Sequence, residues 1–107
     1  MDDAYEQELA SADEALRRND FEVAFRHLER AHVLAQQMTG RHTFIHWRML
    51  VAGLQRGDLR EAAGQVPRIV ASILFSRLWV PRGNSGRARV SAFKSMPVPA
   101  DLRHLVP

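Results

Sequence analysis

A short pattern occurs twice in this chain, each time where one segment of helical periodicity gives way to the next. The two copies, 38 positions apart, are Leu16-x-Arg18-x-Asp20-x-x-x-Ala24 and Leu54-x-Arg56-x-Asp58-x-x-x-Ala62. Helical hairpins that repeat every 34 to 45 residues or so are typical of solenoid modules such as the tetratricopeptide repeat. A plain antiparallel four-helix arrangement would share the same caps and alanines. The pattern therefore predicts an all-α fold of two stacked helical hairpins and leaves both arrangements open.

Apolar residues spaced three and four positions apart predict four helices. We expect them over residues 3–18, 21 to about 38, 41–55 and 58–79, with Asn19 or Asp20 capping the second and Asp58 capping the fourth. Gly57 should end the third helix, and Pro67 should kink or restart the fourth. A further apolar face on the fourth helix is made by Ile69, Val70, Ile73, Leu74 and Leu78.

The character of the chain changes at Pro81. A turn cluster runs from there to Gly86, and Pro97 and Pro99 favour an extended backbone. The remaining residues are too apolar for a free tail. We therefore expect a helical-hairpin domain over residues 1–80 and an irregular arm over residues 81–107, which packs on the same domain or on a second subunit.

Composition and charge exclude several classes of function. The chain has 107 residues and no cysteine, which excludes disulfides, thiolate nucleophiles and cysteine-ligated metal centres. The net charge of +3 combines an acidic half, residues 1–40, with a basic half that carries no recognised nucleic-acid docking motif. No segment is apolar enough for a membrane span or a secretory signal. We therefore expect a cytoplasmic protein without a specific nucleic-acid partner.

Five histidines in so small a chain favour a metal site. His42 and His46 are four positions apart, so both rings lie on the same side of a helix. His32 lies on the inward stripe of the preceding helix and should face His46 across the hairpin. Glu29 precedes His32 by three positions, a spacing found in carboxylate-bridged metal bundles. Three imidazoles and one carboxylate would suit zinc, nickel, cobalt, copper or iron.

The same histidines also have a purely structural interpretation. His32 and His46 would then be buried polar residues that are hydrogen-bonded to one another or to backbone carbonyls. Metal-dependent catalysis is disfavoured, because the glutamate that metalloproteases place between their two histidines is missing between His42 and His46. His27 and His104 have no predicted role.

Several separated motifs resemble a known family. They are Phe25-x-His27-Leu28-Glu29-Arg30-Ala31-His32, Thr39-x-x-His42-x-x-x-His46-Trp47-x-Met49-Leu50, Gly83-Asn84-Ser85-Gly86 and Val90-Ser91-Ala92-Phe93-x-x-Met96-Pro97-x-Pro99-x-Asp101-Leu102. On these motifs nearly the whole chain is similar to an uncharacterised proteobacterial family of short helical proteins, the domain-of-unknown-function family DUF3703. The resemblance implies a bacterial, cytoplasmic, single-domain protein and no known activity. The family pattern includes the three histidines, whereas Arg87 and Arg89 replace smaller residues.

Two hypotheses of function follow. The leading one is a non-enzymatic, helical-repeat-like protein-interaction module, whose partner is another protein or a second copy of the chain docked through residues 69–80 and the arm. The alternative is a small metal-binding or metal-responsive protein that holds a divalent transition-metal ion. Its ligands would be His32, His42 and His46, with Glu29 as the fourth. An enzyme ranks third.

Overall fold

The fold is all-α, as the periodicity predicted. The computed structural model describes residues 2–75, 82–91 and 93–106, and no strand occurs among them. The helices are α1 (Asp2–Arg17), α2 (Phe21–Ala35), α3 (Thr39–Arg56) and α4 (Leu59–Phe75), followed by a short 3-10 helix (Ala100–Leu105). None of the described helices is both long and apolar enough to cross a membrane.

Each helix packs against the next along the chain, so α1 with α2 and α3 with α4 form two hairpins that meet between α2 and α3. This confirms the predicted pair of helical hairpins. The core lies among the first three helices and the carboxyl-terminal segment. Its buried members are Tyr5, Leu9, Ala12, Phe25, Leu28, Ala31, Val33, Leu34, Ala35, Ile45, Met49, Ala52, Val98 and Leu102.

Local signals in the sequence explain where the helices begin and end. Asp20 caps α2 by accepting a hydrogen bond from the Val23 amide, and the Asp58 carboxylate accepts one from the Glu61 amide at the start of α4. Gly57 ends α3 in the left-handed conformation, with φ of 81°. α4 does not restart at Pro67, which lies inside one continuous helix.

The apolar face predicted on α4 is exposed over most of its described length. Val70, Ile73 and Leu74 are each more than half exposed, while Leu78 lies outside the described residues. The side of α4 that is buried carries Ala62, Gln65 and Ser72 instead. A second face of α4 is therefore left uncovered by the residues that the structure describes.

The described part of the arm crosses α2 and α4. The Gly83 amide donates to the Gln36 side chain, and Arg87 reaches Glu61 of α4. Val98 and Leu102 join the core. Because residues 76–81 lie outside the described residues, the division into a domain over 1–80 and an arm over 81–107 stays a prediction.

Candidate metal centre

Three histidines meet between α2 and α3. His32 lies in the last turn of α2, and His42 and His46 lie one turn apart on α3. All three are buried, with exposures of 2%, 7% and 3%. Their Nε2 atoms form an equilateral triangle, each 3.1 Å from the other two. The packing of α2 against α3 thus brings together the three histidines that the sequence singled out.

Hydrogen bonds at Nδ1 identify the tautomers of His32 and His46. Nδ1 of His32 is 2.7 Å from the Asn84 carbonyl oxygen, which can only accept a hydrogen bond. Nδ1 of His46 is 2.7 Å from Oε1 of Gln65. The orientation of the Gln65 amide is set because its nitrogen donates to the Glu61 carboxylate at 2.5 Å and to the Gly86 carbonyl at 3.0 Å. Both neutral rings therefore carry the proton on Nδ1 and a lone pair on Nε2.

Hydrogen bonding among the rings cannot account for this triangle. A ring nitrogen either donates or accepts, so a triangle of three such atoms always contains at least one mismatched pair. Here that pair is His32 and His46, whose lone pairs face each other at 3.1 Å whichever tautomer His42 adopts. A cation bound to the three nitrogens would turn this repulsion into attraction.

His42 is held less firmly than the other two rings. Its Nδ1 is buried and makes no hydrogen bond of good geometry within the described residues. The Gln36 backbone nevertheless favours a proton on this ring. A proton on Nδ1 would complete a set of three inward lone pairs.

The triangle has the size that a small transition-metal ion requires. The three Nε2 atoms would hold a zinc-sized ion at about the usual zinc–imidazole distance of 2.0–2.1 Å. Three protein ligands would leave a fourth position free, as in zinc sites that bind an exogenous ligand.

Burial keeps the three imidazoles neutral. Loss of hydration, reinforced by the neighbouring rings His46 and His42, holds the pKa of His32 well below its ordinary value. Burial and the nearby His46 lower the pKa of His42 to about 3. Burial lowers the pKa of His46 to about 4, although its hydrogen bond to Gln65 acts in the opposite direction. At neutral pH each ring is in the form that binds a metal ion.

The structure places Glu29 away from the three histidines. Oε1 of Glu29 lies 3.3 Å from the Arg87 guanidinium. Glu29 is not among the residues that could share an ion with the histidine cluster. Arg87 also binds Glu61, which is 2% exposed, and stacks over the Phe25 ring. The carboxylate expected as a fourth ligand therefore belongs to an ion-pair network with Arg87 and Glu61.

Sequence reasoning missed the residues that orient the rings. Gln65 is fully buried on the inner side of α4, which also carries Glu61 and Ser72, so no apolar stripe in the sequence pointed to this side of the helix. Asn84 acts through its backbone carbonyl, so its side chain carried no signal for this role. Its side chain instead braces the turn by bonding the Ser91 and Lys94 carbonyls and the Gly86 amide.

Comparisons with known proteins give one finding. No curated protein and no solved structure matches the chain. The model of the family described as a protein of unknown function, DUF3703, matches residues 1–106. The chain therefore belongs to the DUF3703 family, as the motifs around its histidines and its arm indicated.

Proposed function

We propose that this protein binds one divalent transition-metal ion through the Nε2 atoms of His32, His42 and His46. The observation that carries the proposal is the facing pair of lone pairs on His32 and His46, an arrangement that hydrogen bonding alone does not stabilise. Zinc, nickel, cobalt, copper and iron all accept neutral imidazoles. Because the chain has no thiolate, the ligand set does not choose among them.

The surroundings of the rings support the proposal. Imidazoles that bind metals usually donate their second N–H to a carbonyl or carboxylate, which fixes the tautomer and strengthens the ligand. His32 does so with Asn84, and His46 does so with Gln65, which is itself bonded to Glu61. An ion that binds the folded chain alone would also stabilise it by mass action.

The test uses protein purified without a histidine tag. We expect one zinc, nickel or cobalt ion per chain and a rise in melting temperature on adding the ion. His42→Gln is the preferred variant, because Nδ1 of His42 makes no hydrogen bond of good geometry within the described residues, and the substitution should lower metal affinity at least about 100-fold.

His104→Gln is the matched control, since His104 is exposed and distant from the triad in sequence. It should keep wild-type stoichiometry. Wild-type protein whose melting temperature does not respond to zinc, nickel or cobalt, and which retains no ion after dialysis, would contradict the proposal.

A second candidate function, self-association, is favoured by an exposed apolar face on α3 and α4. Hydrogen bonds between Thr43 and Ser72 and between His46 and Gln65 set the antiparallel register of the two helices. Residues spaced three, four or seven apart then form neighbouring stripes on the side away from α2. The stripes, exposed by 39–70%, are Phe44, Trp47, Val51 and Leu54 on α3 and Leu59, Val66, Val70 and Ile73 on α4.

We infer that a second copy of this chain covers this face. None of the eight side chains is charged, so the face can meet itself across a two-fold axis without like-charge repulsion. Eight large apolar side chains at about half exposure present about 700–800 Å². That area is close to the roughly 800 Å² that each partner contributes to a standard interface.

Sedimentation velocity over a range of concentrations tests this inference. We expect a dimer of the wild type at micromolar concentration and a monomer of the double variant Trp47→Glu/Ile73→Glu, because two buried carboxylates would face their copies. Phe93→Glu is the control, since Phe93 is 78% exposed and lies in the arm. A wild type that stays monomeric at all concentrations would overturn the inference.

A further inference from the structure

A small cavity adjoins the three imidazoles. Its volume is about 60 Å³, enough for a ligand of about two to four non-hydrogen atoms. Besides the three rings, its described wall consists of Gln36, Arg68, Ala71, Asn84 and Gly86. An ion held by the three Nε2 atoms would therefore lie next to a cavity with the volume of a small ligand.

The charges around this cavity are unbalanced. The three ligand rings are neutral, and Arg68 is the one charged residue in the described part of the wall. Its positive charge acts on His32 and on His46, lowering the pKa of both. Glu61 is paired with Arg87 and also acts on Arg68, but it is not part of the described wall. A divalent ion held by three neutral rings would bring two further positive charges next to Arg68 in a buried site, which costs free energy unless an anion accompanies it.

Arg68 is held in place by backbone carbonyls. Its guanidinium donates to Gly64 at 2.8 Å, to Val90 at 2.6 Å and to Ala88 at 3.5 Å. These bonds use three of its five N–H groups, and the planar guanidinium suits the oxygen atoms of a carboxylate or carbonate. The side chain is therefore a positioned counter-charge rather than a mobile surface residue.

We propose that the metal ion at this site takes a small planar oxyanion as its fourth ligand, with Arg68 as the counter-charge of that anion. The inference rests on the proposed metal binding. The ligand class is a carboxylate or carbonate of up to about four non-hydrogen atoms, which is the size that matches the volume of the cavity.

The test uses cobalt-loaded protein, whose visible absorption reports the coordination of the ion. Sodium formate is added at constant ionic strength, and benzoate, which has the same carboxylate on a larger body, is added in parallel. We expect a saturable spectral change with formate and none with benzoate. Arg68→Gln should weaken formate binding about tenfold while leaving cobalt affinity equal or higher, because a charge that repels the ion has been removed.

Two further variants separate charge from structure. Arg68→Lys keeps the charge and should retain most of the formate affinity, and Arg89→Gln should behave as wild type, since Arg89 is exposed. A cobalt spectrum that does not respond to formate would overturn this inference while leaving the metal proposal intact. Protein that binds no cobalt would overturn both. Loss of cobalt and formate affinity together in Arg68→Gln, without rescue in Arg68→Lys, would assign Arg68 a structural role and also overturn the inference.

Discussion

Metal-free protein is expected to lose several kcal/mol of stability as the pH falls from about 7 to about 5. In the unfolded chain the histidines have pKa values near 6.5 and take up protons over this range. In the folded chain burial holds the pKa of His42 at about 3, that of His46 at about 4 and that of His32 well below its ordinary value. The unfolded state therefore binds more protons, and the free energy of unfolding decreases as the pH falls.

The effect is large because three rings contribute. Each ring that stays neutral in the fold costs about 2 kcal/mol at pH 5, against a total stability of about 5–15 kcal/mol for a domain. Burial raises the pKa of Glu29, so this side chain binds its proton more tightly in the folded chain and opposes the loss of stability on acidification. This effect falls at lower pH, nearer the ordinary pKa of a carboxyl group.

Urea denaturation in the presence of a chelator, repeated at several pH values, measures this dependence. His42→Gln should reduce the pH dependence of the free energy of unfolding by the contribution of one ring. His104→Gln should leave this dependence unchanged. A free energy of unfolding that is constant between pH 7 and pH 5 would show that the three rings are protonated in the fold, contrary to the structure.

Replacing Gly86 by alanine is expected to damage both the fold and the metal site. A Cβ atom at this position would lie 2.6 Å from Cδ2 of His32, 2.8 Å from Cγ and 2.9 Å from Nε2. The backbone φ of 81° adds a cost of about 1–2 kcal/mol for any residue with a side chain. The ring must therefore move off its Asn84 hydrogen bond, and we expect a total loss of about 3–5 kcal/mol and a fall in zinc affinity of at least about 100-fold.

Gly57 offers a matched control for this substitution. Its φ is also 81°, but a Cβ there would meet nothing within 4 Å. Gly57→Ala should therefore show the conformational cost alone and keep its zinc affinity. Urea denaturation and zinc titration of the two variants compare these effects. Equal stability and equal zinc affinity in the two would mean that Gly86 does not position His32.

Much of the fold was predictable because its signals are local. The aspartate caps at Asp20 and Asp58 and the left-handed Gly57 each act within a few residues, so the helix ends that they set lie within one position of those predicted. The end of α2, by contrast, lies three positions before the predicted residue 38. The meeting of His32 with His42 and His46 was also predictable, since helix spacing and one short turn decide it. Their meeting depends only on the contact between α2 and α3, which follow one another in the chain.

The parts that were not predictable depend on contacts between distant segments. Glu29 has a plausible spacing to His32, yet Arg87, 58 positions later in the chain, draws its carboxylate away. Gln65 and Asn84 reach the rings from α4 and the arm, which periodicity cannot place against α2 and α3. The exposure of Val70 could not be predicted either. An apolar stripe has the same sequence pattern whether it packs on a helix of its own chain or on a second molecule.

The three proposed ligands lie within a single stretch, residues 32–46, although the finished site is buried. Closing so short a loop costs little conformational entropy. Gln65 and Asn84, which come later in the chain, supply no ligand and contribute the hydrogen bonds that orient His46 and His32. The proposed ion would therefore depend on α2 and α3 for its ligands and on the later segments for the orientation of the rings.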